Sequence, residues 1–304
     1  MMKSAFQSGI CLLLILTGLV WGGLQKDNKA SNEVLEQGRK VYHANCAECH
    51  GPQGRGDGPK AHQLGFHPRD FALGAFKCRC TQSGQLPTDE DLMRILANGM
   101  PGTPMRPYAN LSLQDRQAVV EYVKTFSPKF AAGPQPKCDN LLQPVPSTEK
   151  TVFEGRQIYR ILGCWQCHGS KGRGDGPAAA NMTDDWGKPI KAYNFTVAKR
   201  FKCGGDERDL YRTLMTGMNG SPMPSYREAL TFAADSVSDF KQYEGTYGAN
   251  ELNEIMEYLR QQPTAADIKA MSAGDRNDLA EKRAWALVHY LESMLGTPAG
   301  ESKK

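Results

Sequence analysis

The sequence has little excess charge and few histidines. Its 37 lysine and arginine residues nearly balance 33 aspartate and glutamate residues, so the net charge is +4 over 304 residues. No basic run is interleaved with aromatic residues, which argues against a nucleic-acid-binding protein and allows at most a weak preference for an acidic partner surface. Only six histidines are available as metal ligands. By contrast, 31 glycines and 18 prolines predict many loops.

The N-terminal segment is the apolar stretch that predicts export. Lys3 precedes residues 10–24, which are apolar apart from Thr17 and the glycines, and the stretch reaches about 20 residues if it is counted from Ala5. Residues 1–24 are therefore a cleaved signal peptide, or residues 5–24 are a retained membrane anchor. Because positive charge stays inside, the remainder is expected on the periplasmic side of the cytoplasmic membrane, anchored or soluble after cleavage.

Two motifs of the form Cys-x-x-Cys-His are the most informative feature of the chain. They consist of Cys46, Cys49 and His50 in the first half, and of Cys164, Cys167 and His168 in the second half. This motif attaches c-type haem, because two cysteines one helical turn apart reach the vinyl groups of one porphyrin. The adjacent histidine then binds the iron. We predict two covalently bound haem c groups, with His50 and His168 as iron ligands.

Zinc sites and redox dithiols also use Cys-x-x-Cys. A zinc site needs two further ligands in each half, and the only histidines of the second half are His168 and His289. A thioredoxin-like dithiol does not require the histidine after the second cysteine. The repetition of the complete motif favours haem.

The sequence is an internal duplication around these motifs. After each motif comes the hexapeptide Gly-Arg-Gly-Asp-Gly-Pro, at 54–59 and 172–177. Its glycines predict a tight loop along the haem edge, and the absence of a following Lys-Ser/Thr excludes a phosphate-binding P-loop. A proximal histidine needs an acceptor for its second ring nitrogen. We predict that Pro59 and Pro177 contribute to cofactor binding through the backbone carbonyls of this loop.

The second axial position of a haem iron decides between electron transfer and substrate binding. Both halves contain a helix that ends in Gly-Met and, a few residues later, a Pro-Met pair. A loop between helices can present a sulfur to the far haem face, so we predict Met105 and Met223 as the sixth ligands. The alternatives are the helix-end methionines and two histidines of the first half: Met100, Met218, His62 and His67.

A final helix is expected to close each domain. In the first half it spans 113–126, whereas the second half offers 250–261 and 277–295. The later helix matches the first-half helix position by position, so we predict that it closes the domain. Residues 231–276 then form a partly helical insertion. Packing of helix 250–261 against helix 154–162, before the second motif, would refute this prediction.

With these features the chain resembles class I cytochromes c, and it is similar to the tandem two-haem (dihaem) c-type cytochromes of bacterial respiratory chains. The resemblance implies an all-α fold with one domain at 31–128, a Pro-rich linker at 129–150 and a second domain at 151–296. It also implies that Gly38 meets Tyr122, and Gly155 meets Tyr290, where two helices cross. In that family the proline after the motif lends its carbonyl to the ligand histidine, and the methionine loop supplies the sixth ligand.

Four further cysteines depart from the simple family pattern. An exported protein is expected to oxidise them, and three pairings are possible. We favour Cys80 with Cys138, which ties the linker to the first domain, and Cys78 with Cys203 across the duplication. Four unpaired buried cysteines are the alternative.

The leading functional hypothesis is electron transfer through two His/Met-ligated haems. The resemblance implies redox protein partners, such as a respiratory complex, a terminal oxidase or a molybdenum oxidoreductase. The alternative is a haem enzyme, a peroxidase or a sulfur-compound oxidoreductase, which needs one open or displaceable axial site. The sequence shows no catalytic base or nucleophile elsewhere, so we expect an electron carrier or an electron-transfer subunit, with the insertion as a possible contact surface.

Overall fold

The computed structural model describes residues 30–133, 136–138, 144–197, 201–236, 243 and 245–296. Within them the chain forms ten α-helices: α1 (Asn32–Asn45), α2 (Ala47–His50), α3 (Asp89–Asn98), α4 (Leu113–Lys124), α5 (Glu149–Ile161), α6 (Trp165–His168), α7 (Glu207–Thr216), α8 (Ala249–Arg260), α9 (Ala265–Ala270) and α10 (Ala273–Ser293). Short 3₁₀ turns lie at Ala61–Gln63, Pro128–Phe130, Ala229–Thr231 and Ala234–Ser236. Apart from an isolated bridge between Thr183 and Pro189, these residues contain no β-structure. The predicted all-α fold is confirmed.

The predicted membrane anchor at 5–24 lies outside the described residues. Among the helices that the structure describes, none has the length and apolar character needed to cross a bilayer.

Local signals explain where the helices begin and end. Thr88 and Asp91 form a capping box at the start of α3, and Asp206 caps α7 by accepting from the backbone N–H of Asp209. Gly99 and Gly217 follow the last residues of these two helices with φ of 67° and 68°, a conformation that favours glycine. The predicted glycine stops are confirmed.

In each half the first helix crosses the last helix at a glycine. A Cβ placed on Gly38 of α1 would lie 2.7 Å from the carbonyl carbon of Ala118 and 2.8 Å from Tyr122 Cβ, both in α4. A Cβ on Gly155 of α5 would lie 2.5 Å from the carbonyl carbon of Ala286 and 2.8 Å from Tyr290 Cβ, both in α10. Only glycine permits this approach, and the helix-crossing contacts implied by the family resemblance are confirmed.

The segment predicted as an insertion packs closely against the rest of the second half. Although α10 makes the crossing at Gly155, α8 also contacts α5, because the buried Arg160 pairs with Glu251 and Glu254 at 2.9 and 2.7 Å. Residues of this segment also fill the second core, among them Tyr243, Tyr247, Ile255, Tyr258 and Leu259. Packing of α8 against α5 is the contact that was expected to refute the insertion, although α10 and not α8 makes the crossing at Gly155. The 231–276 boundaries stay a prediction.

Two disulfides tie the chain together. Cys78 joins Cys203 between the halves, and Cys80 joins Cys138 of the linker. Both predicted pairings are confirmed. Arg79 stabilises the interface between the two halves next to the first disulfide. This buried residue of the first half is 1% exposed and donates hydrogen bonds to the carbonyls of Thr216 and Gly217 in the second half at 2.5 and 3.3 Å.

Candidate haem sites

Each Cys-x-x-Cys-His motif folds as one helical turn. The backbone N–H of His50 donates to Cys46 O at 2.9 Å, and the N–H of His168 donates to Cys164 O at the same distance. Within each motif, the first cysteine is the N-cap of the short helix α2 or α6, and the second cysteine and the histidine lie in that helix. This is the arrangement that attachment to a single porphyrin needs.

The Gly-rich loops wrap these turns in the same way. The N–H of Gly56 donates to His50 O at 2.8 Å, and that of Gly174 donates to His168 O at 2.8 Å. A Cβ on Gly58 would lie 2.5 Å from Ala47 O, so the loop backbone rests directly on α2. The predicted tight loop is confirmed, and its glycines are needed for this close approach.

The acceptors for the histidine rings differ from the prediction. His50 Nδ1 lies 3.1 Å from Arg69 O, and His168 Nδ1 lies 2.9 Å from Tyr193 O. The prediction that the loop carbonyls at Pro59 and Pro177 serve this purpose was wrong. The backbone just before each proline is held against the motif's turn by bonds such as Gly58 N to Cys49 O, and the chain reaches the ring only 19 residues after His50.

These acceptors set the tautomer of both rings. A carbonyl only accepts, so Nδ1 must carry the proton, and Nε2 keeps its lone pair for a metal. Burial lowers the pKa of His50 and of His168, which keeps both rings neutral. Both rings also contact an aromatic side chain: His50 stacks on Phe71 with ring centroids 4.5 Å apart, and His168 packs against Phe195 at 4.7 Å with the two ring planes tilted by 34°.

The first cysteine of each motif is shielded from water. Burial raises the pKa of Cys46 and of Cys164 to about 12, which disfavours the thiolate that thiol–disulfide exchange uses. Neither pair forms a disulfide in the structure.

An open cleft lies in front of the first motif. Its empty volume is about 1480 Å³, including the solvent at its mouth, and its lining includes Cys46, Cys49 and His50. The walls are largely apolar, with contributions from Phe71, Phe76, Leu92, Leu96, Val119 and Val123. Apolar walls with two thiols and an imidazole fit a haem.

The methionine loops have one conformation in both halves. The N–H of Met100 donates to Met105 O at 2.8 Å, and that of Met218 donates to Met223 O at 3.0 Å. Met100 and Met105 both line the first cleft. Met223 packs against the second core. The loops bring methionines to both sites without distinguishing the two pairs.

In the second half, a tyrosine lies at the end of the methionine loop that carries Met223. Burial, together with the nearby thiols of Cys164 and Cys167, raises the pKa of Tyr226. This places the end of the methionine loop beside the second motif. In the first half, the hydroxyl of Tyr108 donates to Asn45 O at 2.9 Å.

The remaining histidines have other environments. His43 and His62 are exposed, and His67 is an exposed residue of the first cleft. His289 is buried, and its ring nitrogens lie 2.8 Å from Thr151 Oγ1 and 3.1 Å from Val145 O. It holds the end of the linker against α10, as expected for a packing residue.

Sequence reasoning missed Arg69, Tyr193, Phe71 and Phe195. A signal was present: a phenylalanine precedes each Phe-Lys-Cys triplet by five or six residues, with Arg69 and Tyr193 two positions before it. The duplication alone would have singled out these positions.

The model of the cytochrome c family matches residues 35–127 and again residues 152–263. The chain belongs to the cytochrome c family. Its two matched regions lie in tandem, and the family implies covalently bound haem c and a role in electron transfer. The second match includes α8 but ends before α10, although α10 makes the crossing at Gly155 in this cytochrome.

One solved structure extends this result. A chain of the Kuenenia stuttgartiensis reducing HAO-like protein complex Kustc0457/Kustc0458 is similar to this cytochrome, with 35% sequence identity and a TM-score of 0.66. The similarity covers 86% of this chain and 96% of that chain. No curated protein matches the sequence.

Proposed function

We propose that this cytochrome transfers electrons between redox protein partners through two haem c groups, each ligated by one histidine and one methionine. The observation that carries the proposal is the repetition of one complete site. In both halves the motif, the carbonyl acceptor on the histidine ring and the methionine loop have matching hydrogen bonds.

A bound haem supplies reversible one-electron exchange between ferric and ferrous iron. The residues of the chain hold it and control access to it. The cysteines at 46, 49, 164 and 167 would hold the porphyrin edge, and His50 and His168 would offer Nε2 to the iron. Aromatic and aliphatic walls would surround the porphyrin in the first cleft. Among the described residues, we assign none to acid–base or nucleophilic chemistry.

We propose Met105 and Met223 as the sixth ligands. Each lies within a loop whose turn is closed by a hydroxyl: Thr103 Oγ1 donates to Met100 O at 2.7 Å, and Ser221 Oγ donates to Met218 O at 2.8 Å. The backbones of all four methionines take part in these loops. The proposal therefore rests on the position of Met105 and Met223 in the loop between helices and on the packing of Met223 against the second core. A methionine ligand closes the iron to external ligands and raises its potential.

Mass spectrometry and ligand binding test this assignment. The intact mass should exceed that of the chain by two haems. Met105→Leu and Met223→Leu conserve volume and should each open one haem to carbon monoxide. Met100→Leu and Met218→Leu are matched controls that should leave both haems closed. If a control variant binds carbon monoxide instead, the ligands are the helix-end methionines.

We place the cytochrome on the periplasmic side of the cytoplasmic membrane. The two disulfides support an oxidising compartment. Residues 5–24 would serve as an anchor, or residues 1–24 would be removed. N-terminal sequencing of the protein from its native cells distinguishes these two cases, and recovery of the protein with reduced cysteines would contradict the location.

We also propose that the cytochrome works within a protein complex, as its structural relative does. The similarity extends over nearly the whole of a chain that belongs to a reducing HAO-like protein complex. Native mass measurement of the protein from its cells at low ionic strength tests this proposal. A complex larger than one chain with its haems is expected, and a single chain under all conditions would contradict it.

A further inference from the structure

Four lysine and arginine side chains line the cleft of the first motif. Lys188 is exposed, whereas Arg69, Lys77 and Lys202 are partly buried. Lys202 comes from the second domain. Lys77 and Lys202 are equivalent in the duplication, and each directly precedes a cysteine of the disulfide between the halves, Cys78–Cys203. The disulfide therefore places two equivalent lysines at one haem site.

The carboxylate of Asp184 also lines this cleft, and its charge opposes the lowering of the pKa of Lys77. Among the described residues, none of the three forms an ion pair with a carboxylate. Arg69 instead stacks over Trp186 at 4.6 Å, and Lys202 lies 5.4 Å from the ring centre of Phe66. The buried carboxylate nearby, that of Asp184, accepts backbone N–H groups of its own loop at 3.1 and 2.9 Å.

The cations also repel one another. Burial, reinforced by the charges of Arg69 and Lys202, lowers the pKa of Lys77 to about 8, with Asp184 and Asp185 opposing the shift. Burial likewise lowers the pKa of Lys202. Buried cations are costly unless they are paired, so this side of the cleft is complementary to an anion.

We propose that Arg69, Lys77 and Lys202 bind the propionate carboxylates of the first haem, so that the second domain completes the haem site of the first. The inference rests on the proposed function only in requiring a haem at Cys46 and Cys49. That haem would occupy the cleft that the three cations line, and it carries two carboxylates. Guanidinium and ammonium groups are the natural donors to such anions.

Among the described residues, the three partly buried cations have no equivalent set in the second half. Tyr193 occupies the place of Arg69, and both equivalent lysines belong to the first cleft. Cations beside a haem favour the ferrous state, because reduction lowers the positive charge on the iron. The arrangement therefore assigns the positive field to the first haem.

Redox titration of charge variants tests the inference. Lys77→Gln and Lys202→Gln each remove one cation. Lys171→Gln is the matched control, because Lys171 is exposed and glutamine occupies its equivalent position, Gln53. The second haem is marked with Met223→His, which changes its potential. Lys202→Arg keeps the charge and should restore the original behaviour.

Both test variants should lower the reduction potential of the first haem, which carries no marker substitution. The expected effect is a fall of about tenfold in its ferrous/ferric ratio at a fixed potential, which corresponds to about 59 mV for one electron. The released carboxylate should also make that potential depend on pH. The inference is overturned if Lys202→Gln moves only the second haem, or if its effect does not exceed that of Lys171→Gln. Absence of haem on Cys46 and Cys49 would instead contradict the proposed function itself.

Discussion

Replacement of Gly155 by alanine tests the helix crossing that positions the second site. The added Cβ would lie 2.5 Å from the carbonyl carbon of Ala286 and 2.8 Å from Tyr290 Cβ, whereas ordinary contacts are 3.4–4 Å. Ala286 contributes backbone and Tyr290 the root of its side chain, so neither atom can move without α10. The two helices must separate.

The expected cost follows from two opposing effects. Overpacking costs about 1–3 kcal/mol, and contact with rigid atoms places Gly155→Ala near the upper value. Alanine regains about 1 kcal/mol through its higher helix propensity. The net loss of about 2 kcal/mol corresponds to a fall in Tm of about 4–8 °C for a domain of roughly 150 residues.

Thermal unfolding of the holoprotein, followed by circular dichroism, measures this effect. Gly274→Ala in α10 is the matched control, because its nearest neighbour would be Ser272 Oγ at 3.6 Å. That variant should be as stable as the parent or more stable, by up to about 1 kcal/mol. If Gly155→Ala matches Gly274→Ala, the close crossing of α5 and α10 is refuted.

Three further predictions concern the contacts between and within the halves. Arg79→Met should cost about 3 kcal/mol in denaturant unfolding, because the carbonyls of Thr216 and Gly217 lose a buried charged donor; an unchanged midpoint would contradict the described interface. Joint replacement of Cys78 and Cys203 by serine should cost about 2–4 kcal/mol, since their disulfide closes a separation of 125 residues, and reductant should destabilise the parent but have a smaller effect on the variant. Tyr42→Phe and Tyr159→Phe should each cost about 1–3 kcal/mol, because each hydroxyl donates at 2.7 Å to the glycine carbonyl after its motif; a large difference between the two variants would contradict the equivalence of the sites.

Features that depend on which residue types occur, and at what spacing, could be predicted from the sequence. The repeated motifs, the glycine stops and the duplication lead to an all-α tandem fold, and the close crossings at Gly38 and Gly155 follow from the family resemblance. The four extra cysteines paired as expected, because the duplication places two of them at equivalent positions.

Features that depend on the path of the backbone or on how the two halves pack could not be predicted from the sequence. The acceptors of the histidine rings are carbonyls, Arg69 O and Tyr193 O, and although the duplication marks their positions, no side chain there indicates that the backbone oxygen meets the ring. Likewise, α8 bears an ordinary helical pattern, and its ion pairs with Arg160 arise only from the folded second half. Equivalence of Lys77 and Lys202 was visible in sequence, but their presence at one cleft depends on how the halves pack.

The central claim is that this cytochrome holds two closed His/Met haems. The visible spectrum of the purified protein, ferric and then reduced, before and after addition of carbon monoxide, tests it most directly. The account predicts a methionine-to-iron charge-transfer band in the ferric form and no change with carbon monoxide. Carbon monoxide binding at one haem per chain would contradict it, because an open iron site is the mark of a haem enzyme.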